Sequence, residues 1–193
     1  MKKIFYGILR IIIYSLYPFV WIYNRYLASI VDEMVGSYWG SRISNRGKDL
    51  RIHGQVKILN PERLKIGNFC RIGKGAFFFC YGGLTIGNNV QFSRNITIYT
   101  ANHDYKGSVL PYTNEYIVGP VVIGDNTWIG MNVSILPNVN IGKNAIVGMN
   151  AVITKDVPDN AIVVGNNRIV GYRSTNQLIK SEGKYFGELY PDA

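Results

Sequence analysis

Cysteine and histidine are scarce in this chain, two of each in 193 residues. Cys70 and Cys80 stand ten positions apart with no metal-ligand cluster around them, so they read as reduced packing residues rather than a disulfide or a metal pair. No metal is expected. A serine in a sharp glycine-flanked elbow is also missing, and neither cysteine is set against a histidine, which argues against the usual covalent nucleophiles. Acidic residues are few, 12 against 21 basic ones, for a net charge of +9. The imbalance is concentrated at the start, where residues 1–51 hold eight Lys and Arg against Asp32, Glu33 and Asp49. An anionic neighbour is therefore expected there. Those basic residues are interleaved with a long apolar run and match no nucleic-acid motif, so a membrane surface is the expected partner and nucleic acid is not. With 17% charged and 13% aromatic residues the chain is not disordered, and its length suits one domain with a core plus an appendage.

The apolar run covers residues 4–23, IFYGILRIIIYSLYPFVWIY, in which Arg10 is the one charge. As a helix it would extend about 30 Å, the thickness of a bilayer core. Against a crossing, Tyr6, Arg10, Tyr14 and Tyr17 recur on one helical face, Pro18 interrupts the pattern, and aromatics are scattered rather than gathered at two ends. The reading is an interfacial helix that meets a membrane surface through residues 1–30. Packing of this helix on its own chain or on a neighbouring subunit is the competing reading. No small-residue cleavage site follows, which argues against a signal peptide. Residues 1–50 thus form an N-terminal apolar and basic helical region, ending in a polar connection over 32–50.

What dominates the rest is a period of six. Residues 123–158 read IGDNTW IGMNVS ILPNVN IGKNAI VGMNAV ITKDVP, with Ile123, Ile129, Ile135, Ile141, Val147 and Ile153 in first place and Thr127, Val133, Val139, Ala145, Ala151 and Val157 in fifth. Neither a continuous helix nor one flat strand tolerates Gly or Asn every six residues. A solenoid of short strands does: the first-place side chain packs inward, the small fifth-place residue fits beside a corner, and Asn or Gly accepts the positive φ of the turn. The period extends back through Ile66, Ile72, Phe78, Ile86, Phe92 and Ile98, with two extra residues before Ile86 and irregular starting coils from Arg51. The solenoid domain spans 51–171, and a tail, 172–193, is expected to cap its open end. Between Ile98 and Ile123 lies an excursion, 104–122, too long to be retained without use.

His103 stands at the root of that excursion, in sixth place of the hexapeptide beginning at Ile98. Counting by coils puts Trp128 one turn above it and Gly83 one turn below. The spacing therefore predicts a histidine at a corner, with an indole above, a glycine turn beneath and a loop beside it. Histidine is the side chain suited to general-base work near neutral pH, where it can make a hydroxyl nucleophilic. His53, in the first coil and away from any loop, reads as structural or solvated.

On the six hexapeptides and on Asn102-His103-Asp104, the chain resembles the hexapeptide-repeat acyltransferases, most of all the maltose and galactoside O-acetyltransferases and the O-antigen and capsule O-acetyltransferases. The resemblance covers roughly residues 60–170 and implies an all-β fold, a left-handed parallel β-helix, assembled as a homotrimer with active sites at subunit interfaces and acetyl-CoA as donor. It implies His103 as catalytic base and Trp128 beside the active-site tunnel. Met131 and Met149 fall where the family's backbone meets the pantetheine arm, and Thr154 and Lys155 where it approaches the nucleotide of coenzyme A. Arg168 falls near a basic residue that meets the phosphates. Lys74, Tyr81 and Asn102 are the acceptor-side candidates. Asn138 replaces a usual glycine, Met149-Asn150 a usual small pair, and Asn167 a usual proline.

The resemblance implies acetyl transfer to a sugar hydroxyl of an O-antigen or capsule precursor, without an acyl-enzyme. A serine or amino-sugar N-acetyltransferase and a non-catalytic scaffold are the alternatives; a zinc carbonic anhydrase of related fold would need three histidines where this chain has two. Acetyl-CoA chemistry and the N-terminal helix together imply a cytoplasmic protein, peripheral on the inner membrane.

Overall fold

A computed structural model describes residues 2–190. Met1 and residues 191–193, the ends of the expected membrane segment and of the tail, lie outside the described residues. The chain opens with helix α1 (Lys2–Ile22), runs through a π-helical turn (Tyr23–Leu27) and continues as helix α2 (Ala28–Arg42). Pro18 lies inside α1 without ending it. Proline removes one backbone hydrogen bond and leaves later turns free to form. The expected polar connection over 32–50 is thus helical as far as Arg42. Gly36, Ser37, Gly40 and Ser41 suggest a loop by propensity, but Gly36 and Gly40 are buried and let the helix lie directly on the first coil. A Cβ at Gly36 would overlap the carbonyl oxygen of Ile52.

From Asn45 the chain winds as a parallel β-helix with three flat faces. The first face stacks Asn45–Arg46, Leu64–Ile66, Leu84–Ile86, Val121–Ile123 and Asn140–Ile141. The second runs from Arg51–Ile52 through Arg71–Ile72, Gln91–Phe92, Trp128–Ile129 and Ile146–Val147 to Ala161–Val164, and the third from Lys57–Leu59 to Val152–Ile153. First-place residues form continuous internal columns, and fifth-place residues are 0–3% exposed from Thr127 to Val157. The starting coil is regular rather than irregular: Ile52, Ile58, Leu64 and Ile66 are in register with Ile72, Phe78, Leu84 and Ile86. Its two extra residues recur in the next coil because Leu64, Leu84 and Val121 form an additional buried column. Cys70 and Cys80 are free and buried in this core, and burial pushes their thiols up to about 11 and about 12.

The corners are held by asparagines. Asn89, Asn126, Asn144 and Asn160 all adopt left-handed φ between 56° and 63°, and each amide donates to the next side-chain oxygen at 2.8, 3.1 and 2.9 Å. A second ladder joins Asn95, Asn132 and Asn150 at 3.0 Å per step. Asn combines tolerance of this backbone with a donor and an acceptor, which glycine lacks. Asn138 takes φ +66° in the same way.

The last coil is closed by Arg168–Tyr172, which pairs antiparallel with Ala161–Val164 and covers the sheet edge. The tail beyond it, with short helices α3 (Thr175–Ser181) and α4 (Phe186–Leu189), does not cap that end. It turns back along the coils, stacking Tyr185 on Phe69 and donating the Phe186 N–H to Asn89 at 3.0 Å. Aromatic contact with Phe69 outweighs capping of an edge already covered.

Candidate active site

After Ile98 the chain leaves the coil. Ala101–His103 pairs antiparallel with Tyr116–Val118, so the excursion is a hairpin, rejoining the helix at Val121. Its neck is fixed locally: the Asp104 N–H donates to Glu115, the Thr113 N–H donates to the Asp104 carbonyl, and the Asp104 carboxylate accepts from Lys106 N–H at 2.9 Å. His103 emerges at this neck. Its ring lies 4.3 Å from Tyr112 and 4.4 Å from Tyr116, and Tyr116 in turn contacts Phe79 and Tyr81. The imidazole Nδ1 is buried and has no hydrogen-bond partner among the described residues. An orphaned buried donor or acceptor costs about 1–3 kcal/mol, which marks this ring as one whose partner comes from outside the chain.

Trp128 is not above His103. It stands on the second face in register with Gln91 and Ile146, and its indole N–H donates to Ser93 at 3.3 Å. Counting in sixes fails here because one turn is three hexapeptides: Ile98 stacks with Ile135, whereas Ile123 stacks with Ile86, which puts Trp128 one turn above Gln91. The predicted Gly83 neighbour is likewise part of the first-face turn, its N–H donating to Cys80. Within one chain the predicted residues therefore fall into three groups. Asn102, His103 and, through Tyr116, Tyr81 gather at the hairpin; the Arg63 guanidinium covers Tyr81 at 4.9 Å and donates to its carbonyl.

The second group lines a cleft of about 1380 Å³ between α2 and the second face. Trp128 and Met131 stand at one end, and Lys74 is within it, ion-paired to Asp32 of α2 at 2.9 Å. Met149 is exposed one coil beyond Met131, its neighbour Asn150 donating to the Met131 carbonyl. The third group is at the far end. The Asn167 side chain accepts from the Thr154 N–H at 2.7 Å and the Lys155 N–H at 3.2 Å, and donates to the Lys155 carbonyl at 2.8 Å. Here the departure from proline has a purpose, since Asn167 clamps the Thr154-Lys155 turn beside Arg168.

Sequence reasoning missed α2's share of the cleft and the arginines opposite it. The signal was available: Arg51 and Arg71, and Lys74 and Arg94, are twenty residues apart, the same period as Ile52, Ile72 and Phe92. His53 also belongs here. Burial first, then Arg71 and Arg51, hold its pKa below the usual value, with Asp32 opposing them.

With this geometry in hand, known proteins can be set beside it. The description "Bacterial transferase hexapeptide (six repeats)" matches residues 120–155. A hexapeptide-repeat-containing acetyltransferase from Vibrio cholerae has a similar structure, with TM-score 0.64 and 26% identity over 77% of this chain and 83% of that one. Over residues 120–155 the chain is similar to the hexapeptide-repeat transferases, and its fold is that of a hexapeptide-repeat acetyltransferase. As in those proteins, its β-helix is left-handed. A maltose O-acetyltransferase from Clostridium difficile 630 gives TM-score 0.60 and 26% identity, covering 79% of this hexapeptide-repeat chain and 91% of the other. A protein of Escherichia coli strain K12, ascribed to colanic acid biosynthesis as an acetyltransferase, is 29% identical over 64% of this chain and 66% of its own length. This repeat protein therefore spans two thirds or less of the curated relatives it matches. Among the described residues, no group of three or more His, Cys, Asp and Glu is placed to hold a metal ion.

Proposed function

We propose that the protein transfers an acetyl group from acetyl-CoA to a sugar hydroxyl of a surface-polysaccharide precursor, with His103 as general base. The observation that carries this reading is His103 itself, displayed on a hairpin, stacked on Tyr112 and tilted against Tyr116, with a buried Nδ1 left unpaired among the described residues. Maltose O-acetyltransferase and the colanic acid relative support a sugar and a polysaccharide respectively. In the reaction, imidazole takes the hydroxyl proton as that oxygen attacks the thioester carbonyl. The tetrahedral oxyanion then collapses, the carbon–sulfur bond breaks, and the proton passes to the departing thiolate. No covalent enzyme intermediate is needed.

Because His103 and the Trp128 cleft are separate within a chain, the working site is completed between subunits of a homotrimer, one giving the hairpin and the next giving the cleft. Met131, Met149, Thr154, Lys155 and Arg168 follow the coils toward the far end, a track suited to an extended donor with a phosphate terminus. Residues 5–34 present large apolar side chains around the helix circumference, among them Ile12, Ile13, Tyr17, Val20 and Trp21. The helical run Phe5–Arg42 is long and apolar enough to cross a membrane. Its length and apolar surface outweigh the single Arg10 on its tyrosine face, so α1 is read as the membrane anchor of a cytoplasmic enzyme.

The test is acetyl-CoA turnover on glycan acceptors extracted from the producing cell. His103→Ala should lose about 10²-fold or more; an unchanged rate would remove His103 from the chemistry. Deleting residues 1–30 should release the protein from the membrane fraction.

A further inference from the structure

The cleft between α2 and the second face is strongly basic. Arg46, Arg51, Arg71, Lys74, Arg94 and Arg173 line it, against two carboxylates, Asp32 and Glu33. Asp32 is engaged by Lys74 through both oxygens, at 3.1 and 2.9 Å. Among the described residues, Arg46, Arg71 and Arg94 make no ion pair. The register sharpens the point. Arg51 and Arg71 are directly paired on adjacent parallel strands, and the same column continues through Gln91 to Trp128. Strands are about 4.8 Å apart, and like charges stacked at that distance destabilise a sheet. Arg51 donates to the Tyr190 carbonyl, while Arg71 lines the cleft without an ion pair among the described residues. Burial first, then the charges of Arg71 and Arg51, depress the His53 imidazole beside them.

The opposite wall has a different chemistry. Ser29, Ser37 and Ser41 of α2 face the cleft at helical spacing, offering hydroxyls that donate and accept. The cleft thus joins a cationic floor to a neutral hydrogen-bonding wall, and ends at Trp128 and Met131. Its α2 wall also continues directly from the apolar α1. Ile30 to Gly36 is about 9 Å of helix, so a bilayer holding α1 would leave the basic floor at headgroup level.

We infer that this cleft holds the acceptor, and that the acceptor is a glycosyl diphosphate whose diphosphate is gripped by Arg46, Arg71 and Arg94 while its sugar lies along the α2 serines toward Trp128. The inference rests on the acetyl-transfer reading for the word acceptor, and on the cleft alone for the anion. Planar guanidinium forks suit the paired oxygens of a diphosphate. The Thr154-Lys155 turn is about three coils away, roughly 15 Å along the axis, so the cleft is separate from the track assigned to the donor's phosphates.

Calorimetry with inorganic pyrophosphate on the full chain in detergent tests the anion site without turnover. Pyrophosphate should bind, and Arg71→Gln with Arg94→Gln should weaken it about 10-fold or more, with an unchanged circular dichroism melt and unchanged acetyl-CoA affinity. Absence of binding, indifference to those substitutions, or displacement of pyrophosphate by coenzyme A would each overturn the inference. Failure of acetyl-CoA to bind while pyrophosphate still does would instead overturn the acetyl-transfer reading and leave the cleft's ligand standing. Two acceptor arms then separate the sources: a uridine-diphosphate sugar in solution, and a polyprenyl-diphosphate-linked sugar in vesicles. Acetylation of either should fall in the double variant, and acetylation of neutral methyl glycosides at equal rates by parent and variant, with neither diphosphate accepted, would refute the assignment.

Discussion

Mixing two inactive variants should restore activity, and the amount is fixed by geometry. His103 leaves the β-helix on its hairpin while Trp128 and Arg71 stay on the second face, so in the proposed homotrimer one chain would supply half of each site. Take His103→Ala as one partner and Arg71→Glu with Trp128→Ala as the other, each inert alone. Removal of a general base costs about 10²–10⁴-fold, so the background is about 1% or less. If the variants are unfolded together and refolded at equal ratio, trimers assemble at random. A site works when an intact hairpin meets an intact cleft on the following subunit, which happens for about a quarter of interfaces. Activity should therefore return to about a quarter of the parental value, at least 25-fold above background. The assay is thiol release from acetyl-CoA in the presence of acceptor. Recovery of nothing, with trimers verified by light scattering, would refute a site shared between subunits.

Two other predictions concern the fold and its pH response. Asn144→Ala breaks both ladder bonds and puts a β-carbon residue at φ +59°, for a loss of about 2–5 kcal/mol, whereas Asn144→Gly keeps the backbone relaxed and should lose about 1–3; scanning calorimetry giving Asn144→Gly the parental midpoint would show the ladder contributes nothing. Since the folded His53 pKa lies below its ordinary 6.5, the unfolded chain binds the proton first, so stability should fall as pH drops through about 6.5 and then level off. In His53→Asn that slope should flatten, and an identical slope in both proteins would contradict the assignment.

The columns of the β-helix were readable because a first-place Ile or Val recurs at a fixed period and each one is buried where the period puts it. The same period misplaced Trp128 relative to His103, since the hexapeptide beginning at Ile98 stacks with Ile135 on the third face while the one beginning at Ile123 stacks with Ile86 on the first. Gly36 and Gly40 misled in the other direction: local propensity marks a loop, while their value lies in close approach to the first coil, Gly36 to Ile52 and Gly40 to Arg46. The cleft was missed for a related reason. Arginines twenty residues apart look unrelated until the coil length brings Arg51 and Arg71 side by side.

Helices α1 and α2 form one uninterrupted rod that carries the cleft wall at its end. A rod of this kind is a gauge as well as a tether. Whatever fixes residues 5–22 also fixes how far the Ser29, Ser37 and Ser41 side of α2 stands from it, and in which direction that side points. Each residue added to or removed from the π turn would shift the wall by about 1.5 Å and swing it by about 100°. The length of this segment is thus bound to a single aim, and insertions there, harmless in an ordinary surface loop, would turn the cleft wall away from the sheet it faces.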